Sequence, residues 1–205
     1  MPSKAYSKEE REEMSQRLLQ AGLELYSING IKNVGLMDIL KKVGISKPFF
    51  YTFYDSVQEF VVCLLDYQWS ILYELVEKTE EHSQWDREEK CYNLFLYLIE
   101  RKKNGLLIMT QQEELWVSKK IGKANVQAFM DRQVNFFRYV LQLWNIPEEA
   151  CPPEVLGNLV ISILVVHGST EESFPFLYTD SLEETARMQA RALAKYLATL
   201  QLKKI

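Results

Sequence analysis

The sequence predicts an all-α protein, and three observations carry the prediction. Its 205 residues hold only eight glycines and six prolines, too little turn punctuation for a many-stranded β fold. Apolar residues recur at helical spacing over most of the chain, and cap-forming residues precede several of these stretches. With 47% hydrophobic and 25% charged residues the chain is long and apolar enough to bury a core, which excludes wholesale disorder.

Ser7-Lys8-Glu9-Glu10 has the capping-box form, so the first helix starts there. Met14, Leu18, Ala21 and Leu25 give it an apolar stripe, and Asn29-Gly30 closes it in residues that tolerate left-handed backbone. Leu36, Ile39, Leu40 and Val43 make a second, short helix ended by Gly44. Ser46 then caps a third, expected over Lys47 to Tyr54, with Pro48 at its second position, where a missing N–H costs nothing. Helix, short turn with Gly, helix is the helix-turn-helix unit, here spanning about 35–54. In the third helix Phe50, Phe53 and Tyr54 share an inward face, leaving Lys47, Phe49, Tyr51 and Thr52 outward. The remaining helices are expected at 56–79, 86–102, 105–117, 119–145, 153–169 and 182–202, making about nine. The domain division follows as 1–55 for the helix-turn-helix part and 56–205 for a second, helical part.

Net charge is −4, but the first 60 residues balance to zero, and within 32–54 Lys32, Lys41, Lys42 and Lys47 face only Asp38. That local excess of positive charge keeps a nucleic-acid partner open despite an acidic whole. The longest apolar run, Val155 to Val166, falls short of the ~18–20 residues a bilayer needs, so no membrane partner is expected. Met1-Pro2-Ser3-Lys4 leads into charged residues without an apolar stretch, so no signal peptide is expected either. Cys63, Cys91 and Cys151 are scattered and odd in number, which argues for reduced thiols in a cytoplasmic protein.

The stretch Gly35-Leu36-Met37-Asp38-Ile39-Leu40-Lys41-Lys42-Val43-Gly44-Ile45-Ser46-Lys47-Pro48-Phe49-Phe50-Tyr51-Thr52-Phe53-Tyr54 resembles the DNA-binding motif of the TetR (tetracycline-repressor) family. Gly30, Asp38-Ile39, Gly44-Ile45-Ser46-Lys47 and Phe50-Tyr51 sit at the family's offsets, and Leu18 through Tyr26 looks like its first helix. The resemblance covers residues ~7–60, and the length and helical remainder also fit. Departures are Pro48 for a frequent Gly, Leu40 for Ala, Phe53 for His, and Val57 where a Lys often meets a phosphate. The last of these implies fewer ion contacts with DNA and a shallow salt dependence.

The resemblance implies a ligand-responsive repressor that binds a pseudo-palindromic operator in double-stranded DNA as a homodimer. Phe49 and Thr52 would then meet bases or thymine methyls. Ser46, Lys47 and Tyr51 would hold phosphates, helped by the helix N-terminus, with Pro48 beside them. Dimerisation would use the last two long helices through Leu159, Ile163, Val166, Ala186, Ala190, Leu193 and Leu197, spacing two reading heads by ~34 Å. A monomeric core helix with a terminal helix laid on it is the alternative.

An effector pocket is also implied, for a small apolar or aromatic molecule. Residues 61–205 hold seven Tyr, six Phe and four Trp, and the candidates are Tyr67, Asn93, Tyr97, Trp116, Phe136 and His167. Each reads also as ordinary core packing, as do Met109 and Trp144. Asn93 stands in a nearly all-apolar helix and therefore needs a partner. Switching would follow from tilting of the helix that begins near Ser56.

An enzyme is not expected. His82 and His167 stand far apart, no cysteines pair as C-x-x-C, and no nucleotide or nucleophile loop occurs, so no metal or cofactor is anticipated. The other competing reading is a dimeric interaction protein that kept the fold and lost specific DNA binding, for which Val57 and the neutral N-terminal part speak.

Overall fold

A computed structural model describes residues 7–171 and 174–200, and every regular element among them is helical. The first is α1 (Lys8–Asn29). Ser7 Oγ accepts the Glu10 N–H at 3.1 Å while Glu10 Oε2 accepts the Ser7 N–H at 2.8 Å. Gly30, at φ +82°, turns the chain out of the helix in backbone that L side chains avoid. Next come α2 (Leu36–Val43), closed by left-handed Gly44, and α3 (Lys47–Phe50). The expected third helix to Tyr54 is thus one turn long. After Phe50 the chain leaves the helix through a turn in which Thr52 N–H donates to Phe49 O and Phe53 N–H to Phe50 O.

Six longer helices follow among the described residues: α4 (Val57–Glu81), α5 (Arg87–Ile99), α6 (Gln111–Ile121), α7 (Lys123–Leu143), α8 (Pro153–His167) and α9 (Leu182–Thr199). A single 3₁₀ turn, Thr179–Ser181, precedes α9. Positions 201 and 202, expected in the last helix, lie outside the described residues.

The largest departure from expectation is at 105–117. Gly105 stands at φ +68° and 106–110 are non-helical, because the helix start is set by Thr110. Its hydroxyl accepts the Glu113 N–H and Glu113 Oε2 accepts the Thr110 N–H, another reciprocal capping box. The break between α6 and α7 falls at Gly122 (φ +81°) and not near 118.

The chain forms two compact units, Met1–Gln68 with Gly105–Val126, and Trp69–Asn104 with Gln127–Ile205. Beside the expected division at 55/56, the first unit also takes in the start of α4 and the whole of α6. Two buried polar links account for this. Gln68 pairs its amide with both backbone groups of Leu107, at 2.6 and 3.1 Å. Glu113 Oε1 accepts the N–H of Ile31, 82 residues away, at 2.9 Å.

In the first unit Leu18, Ile39, Leu40, Phe50, Tyr54, Phe60 and Leu64 form the core. Rings of Phe50, Tyr54 and Phe60 meet at 5.0–5.5 Å. Gly22 lets α1 approach α4 closely, since a Cβ there would stand 2.7 Å from Leu64 and 2.8 Å from Phe60. In the second unit α9 packs on α5 and α8, with Trp144 fully buried against Phe95.

Candidate nucleic-acid interface

Ile39 and Leu40 of α2 and Phe50 of α3 are buried, which anchors the helix-turn-helix and turns the other side of α3 outward. Ser46 Oγ accepts the Phe49 N–H at 3.3 Å and fixes the start of α3. Ser46, Lys47, Pro48, Tyr51 and Thr52 are all exposed on one short segment. Phe49 is half-buried, its ring set edge-on to Phe53 at 5.1 Å. Phe53, expected on the inward face, is also only half-buried, because the chain has left the helix before reaching it. With one turn of helix the macrodipole is small, so Lys47 and the hydroxyls carry any phosphate attraction here. Lys47 and Lys41 have no acidic partner among the described residues. Lys42 is held by Glu24 at 2.9 Å, so the local positive excess is smaller than the sequence count.

One contributor was not legible in sequence. Arg11 of α1 donates from Nη2 to the Thr52 carbonyl at 2.6 Å, with its guanidinium 4.7 Å from the Phe53 ring centre. The 41-residue separation leaves no local signal for it. Glu113 was missed as well, although Thr110-Gln111-Gln112-Glu113 carries a readable capping-box spacing.

The fold is shared with solved structures over nearly the whole chain. A TetR-family transcriptional regulator from Cytophaga hutchinsonii aligns over 98% of this chain and 100% of its own, at TM-score 0.59 and 10% identity. The chain has the TetR-family fold. Reduced NemR from E. coli aligns over 94% of this chain and 100% of its own (TM-score 0.60, 11% identity). A Syntrophomonas wolfei protein assigned to the same family aligns over 95% and 99% (TM-score 0.58, 16% identity). No family model and no curated protein matches the sequence.

The residues singled out for dimerisation on this TetR-type fold divide in two. Ile163, Ala186, Ala190, Leu193 and Leu197 are buried within the single chain, where α9 packs on α5 and α8. Leu159 is 39% exposed and Val166 half-buried. Val155 and Val165, on the same helix, are each 47% exposed in the single chain.

The six pocket candidates are divided between the two units. Tyr67 and Trp116 belong to the first unit and the other four to the second. Asn93 needs no ligand, because its amide donates to Glu89 O one turn earlier, at 2.8 Å. Tyr97 is half-buried and its carbonyl accepts the Asn104 amide. Trp116 is exposed beside Lys120. Phe136 is fully buried among Trp69, Tyr73 and Phe137. His167 donates from Nε2 to Glu183 at 2.7 Å, while its Nδ1 is buried without a partner. None of the six lines the open groove of about 370 Å³ between α5 and α9, whose walls include Tyr92, Met188, Arg191 and Lys195. Among the described residues no helix is long and apolar enough to cross a membrane, and no cluster of three metal-ligating side chains occurs.

Proposed function

We propose that this protein is a DNA-binding transcriptional regulator, a ligand-responsive repressor that reads a pseudo-palindromic operator as a homodimer. One observation carries the reading: a TetR-type fold exposes Ser46, Lys47, Pro48, Tyr51 and Thr52 together at its helix-turn-helix while their neighbours Ile39, Leu40 and Phe50 are locked in the core. An α-helix and its flanking turn fit the major groove. Lys47 and the hydroxyls of Ser46 and Tyr51 supply the groups that hold phosphates. Thr52 spends its hydroxyl proton on Phe49 O, which leaves acceptor lone pairs and a methyl for a base edge. The partly open ring of Phe49 offers apolar contact to a thymine methyl.

Dimerisation in this reading uses the accessible apolar side of α8 (Val155, Leu159, Val165) with Met188 and Tyr196 of α9, all exposed in the single chain. The effector is a small apolar or aromatic molecule received by the second unit. There α4 and α7 gather Trp69, Tyr73, Phe129, Phe136 and Tyr139, and the buried indole N–H of Trp69 lacks a partner. Nothing in this mechanism requires catalysis, a metal or a cofactor.

The test is selection of bound sequences from fragmented genomic DNA, followed by mobility shifts on the enriched duplex at two salt concentrations. A single enriched pseudo-palindrome is expected. Lys47→Ala should weaken binding about threefold to tenfold and lower the salt slope by about one per protomer. No enrichment, with a well-folded dimer, would overturn the DNA reading in favour of an interaction protein.

A further inference from the structure

We infer that Arg11 is a positioning residue that sets the geometry of the DNA-reading segment from outside it, an assignment that rests on the DNA reading proposed above. The segment cannot hold itself. A single helical turn is too short to be stable alone, because nucleation costs more than one turn returns. Its start is fixed by Ser46, and its exit depends on the turn at 51–53, where the carbonyl of Phe49 takes both the N–H and the hydroxyl of Thr52 at 3.0 and 2.8 Å. That turn carries Tyr51 and Thr52, two of the exposed groups that would meet DNA.

The carbonyl of Thr52 itself points to α1, where Arg11 Nη2 donates to it at 2.6 Å. The same guanidinium covers the ring of Phe53 at 4.7 Å, and that ring sets the edge of Phe49 at 5.1 Å. One turn further along the same face of α1, Ser15 Oγ and Tyr54 OH are hydrogen-bonded at 2.8 Å. Two positions of α1 thus grip three consecutive residues, 52 to 54. Arginine suits the first grip because a planar fork stacks on a ring and donates in its plane at once, which an ammonium cannot do. Held this way, Tyr51 and Thr52 are ordered before DNA arrives, and binding does not have to order them.

The experiment compares wild type, Arg11→Gln and Arg11→Lys on the sequence that wild type selects, together with hydrogen exchange of the free proteins. Arg11 is exposed, so both variants should melt within about 3 °C of wild type. In Arg11→Gln the amides of Thr52 and Phe53 should exchange faster while those of mid-α1 do not. Its affinity should fall about tenfold with the salt slope unchanged, and Arg11→Lys should recover only part of it. Failure of wild type to select any sequence would overturn the DNA reading and this role with it. Tight wild-type binding matched by Arg11→Gln would overturn the role of Arg11 alone. A salt slope lowered by about one per protomer, fully restored in Arg11→Lys, would make Arg11 a phosphate contact and refute positioning. Unchanged exchange at Thr52 and Phe53 would refute the clamp itself.

Discussion

Replacing Glu113 by alanine is expected to loosen the first unit more than any other single polar change in it. The carboxylate is 9% exposed and serves two places at once. Oε1 accepts the Ile31 N–H at 2.9 Å, just beyond the Gly30 bend, and Oε2 accepts the Thr110 N–H and hydroxyl at 2.9 and 3.0 Å. Removing the first bond strands a buried backbone donor, at a cost of about 1–3 kcal/mol. Removing the second dissolves the reciprocal cap of α6, at about 0.5–2 kcal/mol. Against this, the mutant no longer buries a carboxylate, which returns part of the loss. A net destabilisation of about 2–3 kcal/mol follows.

Glu113→Gln retains one acceptor and turns an N–H₂ toward the Thr110 donors, or toward Ile31 if flipped, so it should lose about half as much. Thr110→Ala touches only the cap and should cost about 1 kcal/mol. Urea unfolding followed by circular dichroism ranks the three, and amide exchange at Ile31 reports the first bond separately. Glu113→Ala within about 0.5 kcal/mol of wild type, with Ile31 still protected, would refute the reasoning, since exposed surface changes have that size.

Gly22→Ala should destabilise by about 1–3 kcal/mol, because a Cβ there meets Leu64 and Phe60 below 3.0 Å; urea midpoints at or above wild type would contradict the close approach of α1 and α4. Leu159→Arg is expected to turn the proposed dimer into a monomer by sedimentation while Ala190→Leu, at a fully buried position, lowers the melting temperature instead. The Glu100 carboxyl is held below its ordinary value of 4.5 by hydrogen bonds from Lys103 and Arg187. Burial pulls the Glu183 carboxyl up, but hydrogen bonds from His167 and Arg187 outweigh it and leave it low. Depressed carboxyls add stability above their unfolded values and lose it as the solution is acidified through the folded ones. Melting temperature should therefore fall below about pH 4.5, and Arg187→Ala should flatten that limb; an unaltered acid limb would count against the network. Burial raises the thiols of Cys63, Cys91 and Cys151, so native protein should alkylate slowly at neutral pH, with the buried Cys91 and Cys151 reacting only on unfolding.

Local signals carried the sequence reading furthest where they are complete within a few residues. The Ser7–Glu10 box, Gly30, Gly44, and Ser46 before Pro48 each fix a backbone conformation by themselves, and the starts of α1 and α3 and the ends of α1 and α2 fall where they indicate. The end of α3 is different. Phe50, Phe53 and Tyr54 have helical spacing, yet the chain turns after Phe50, held by Arg11 and Ser15 from 39 to 41 residues away. The start of α6 was readable in principle from Thr110 and Glu113, but the apolar run Leu106-Leu107-Ile108-Met109 imitates the beginning of a helix. Those residues lie non-helical instead, with Leu106 and Leu107 buried and Leu107 paired through its backbone to the Gln68 side chain, a partner no periodicity reveals. The same long-range links place α6 in one unit with the helix-turn-helix, a grouping that composition along the chain does not reveal.

Small and apolar residues on α9 also show how a periodicity identifies a buried face without naming what buries it. Ala186, Ala190, Leu193 and Leu197 line up at helical spacing and are buried, but α5 and α8 of the same chain do the covering. An apolar stripe in sequence records only that water is excluded, and an intramolecular helix excludes it as well as a second copy does. What separates the two cases is apolar surface left over after the chain has packed. On α8 that remainder is Val155, Leu159 and Val165, and on α9 it is Met188 and Tyr196. A lasting dimer needs about 800 Å² per partner, more than these five side chains supply alone. The polar and small residues between them, Ser162, Ala192 and Lys195, must therefore be covered too. Pairing through this surface would leave the α9–α5 core untouched, so loss of the dimer and loss of the fold are separable by mutation.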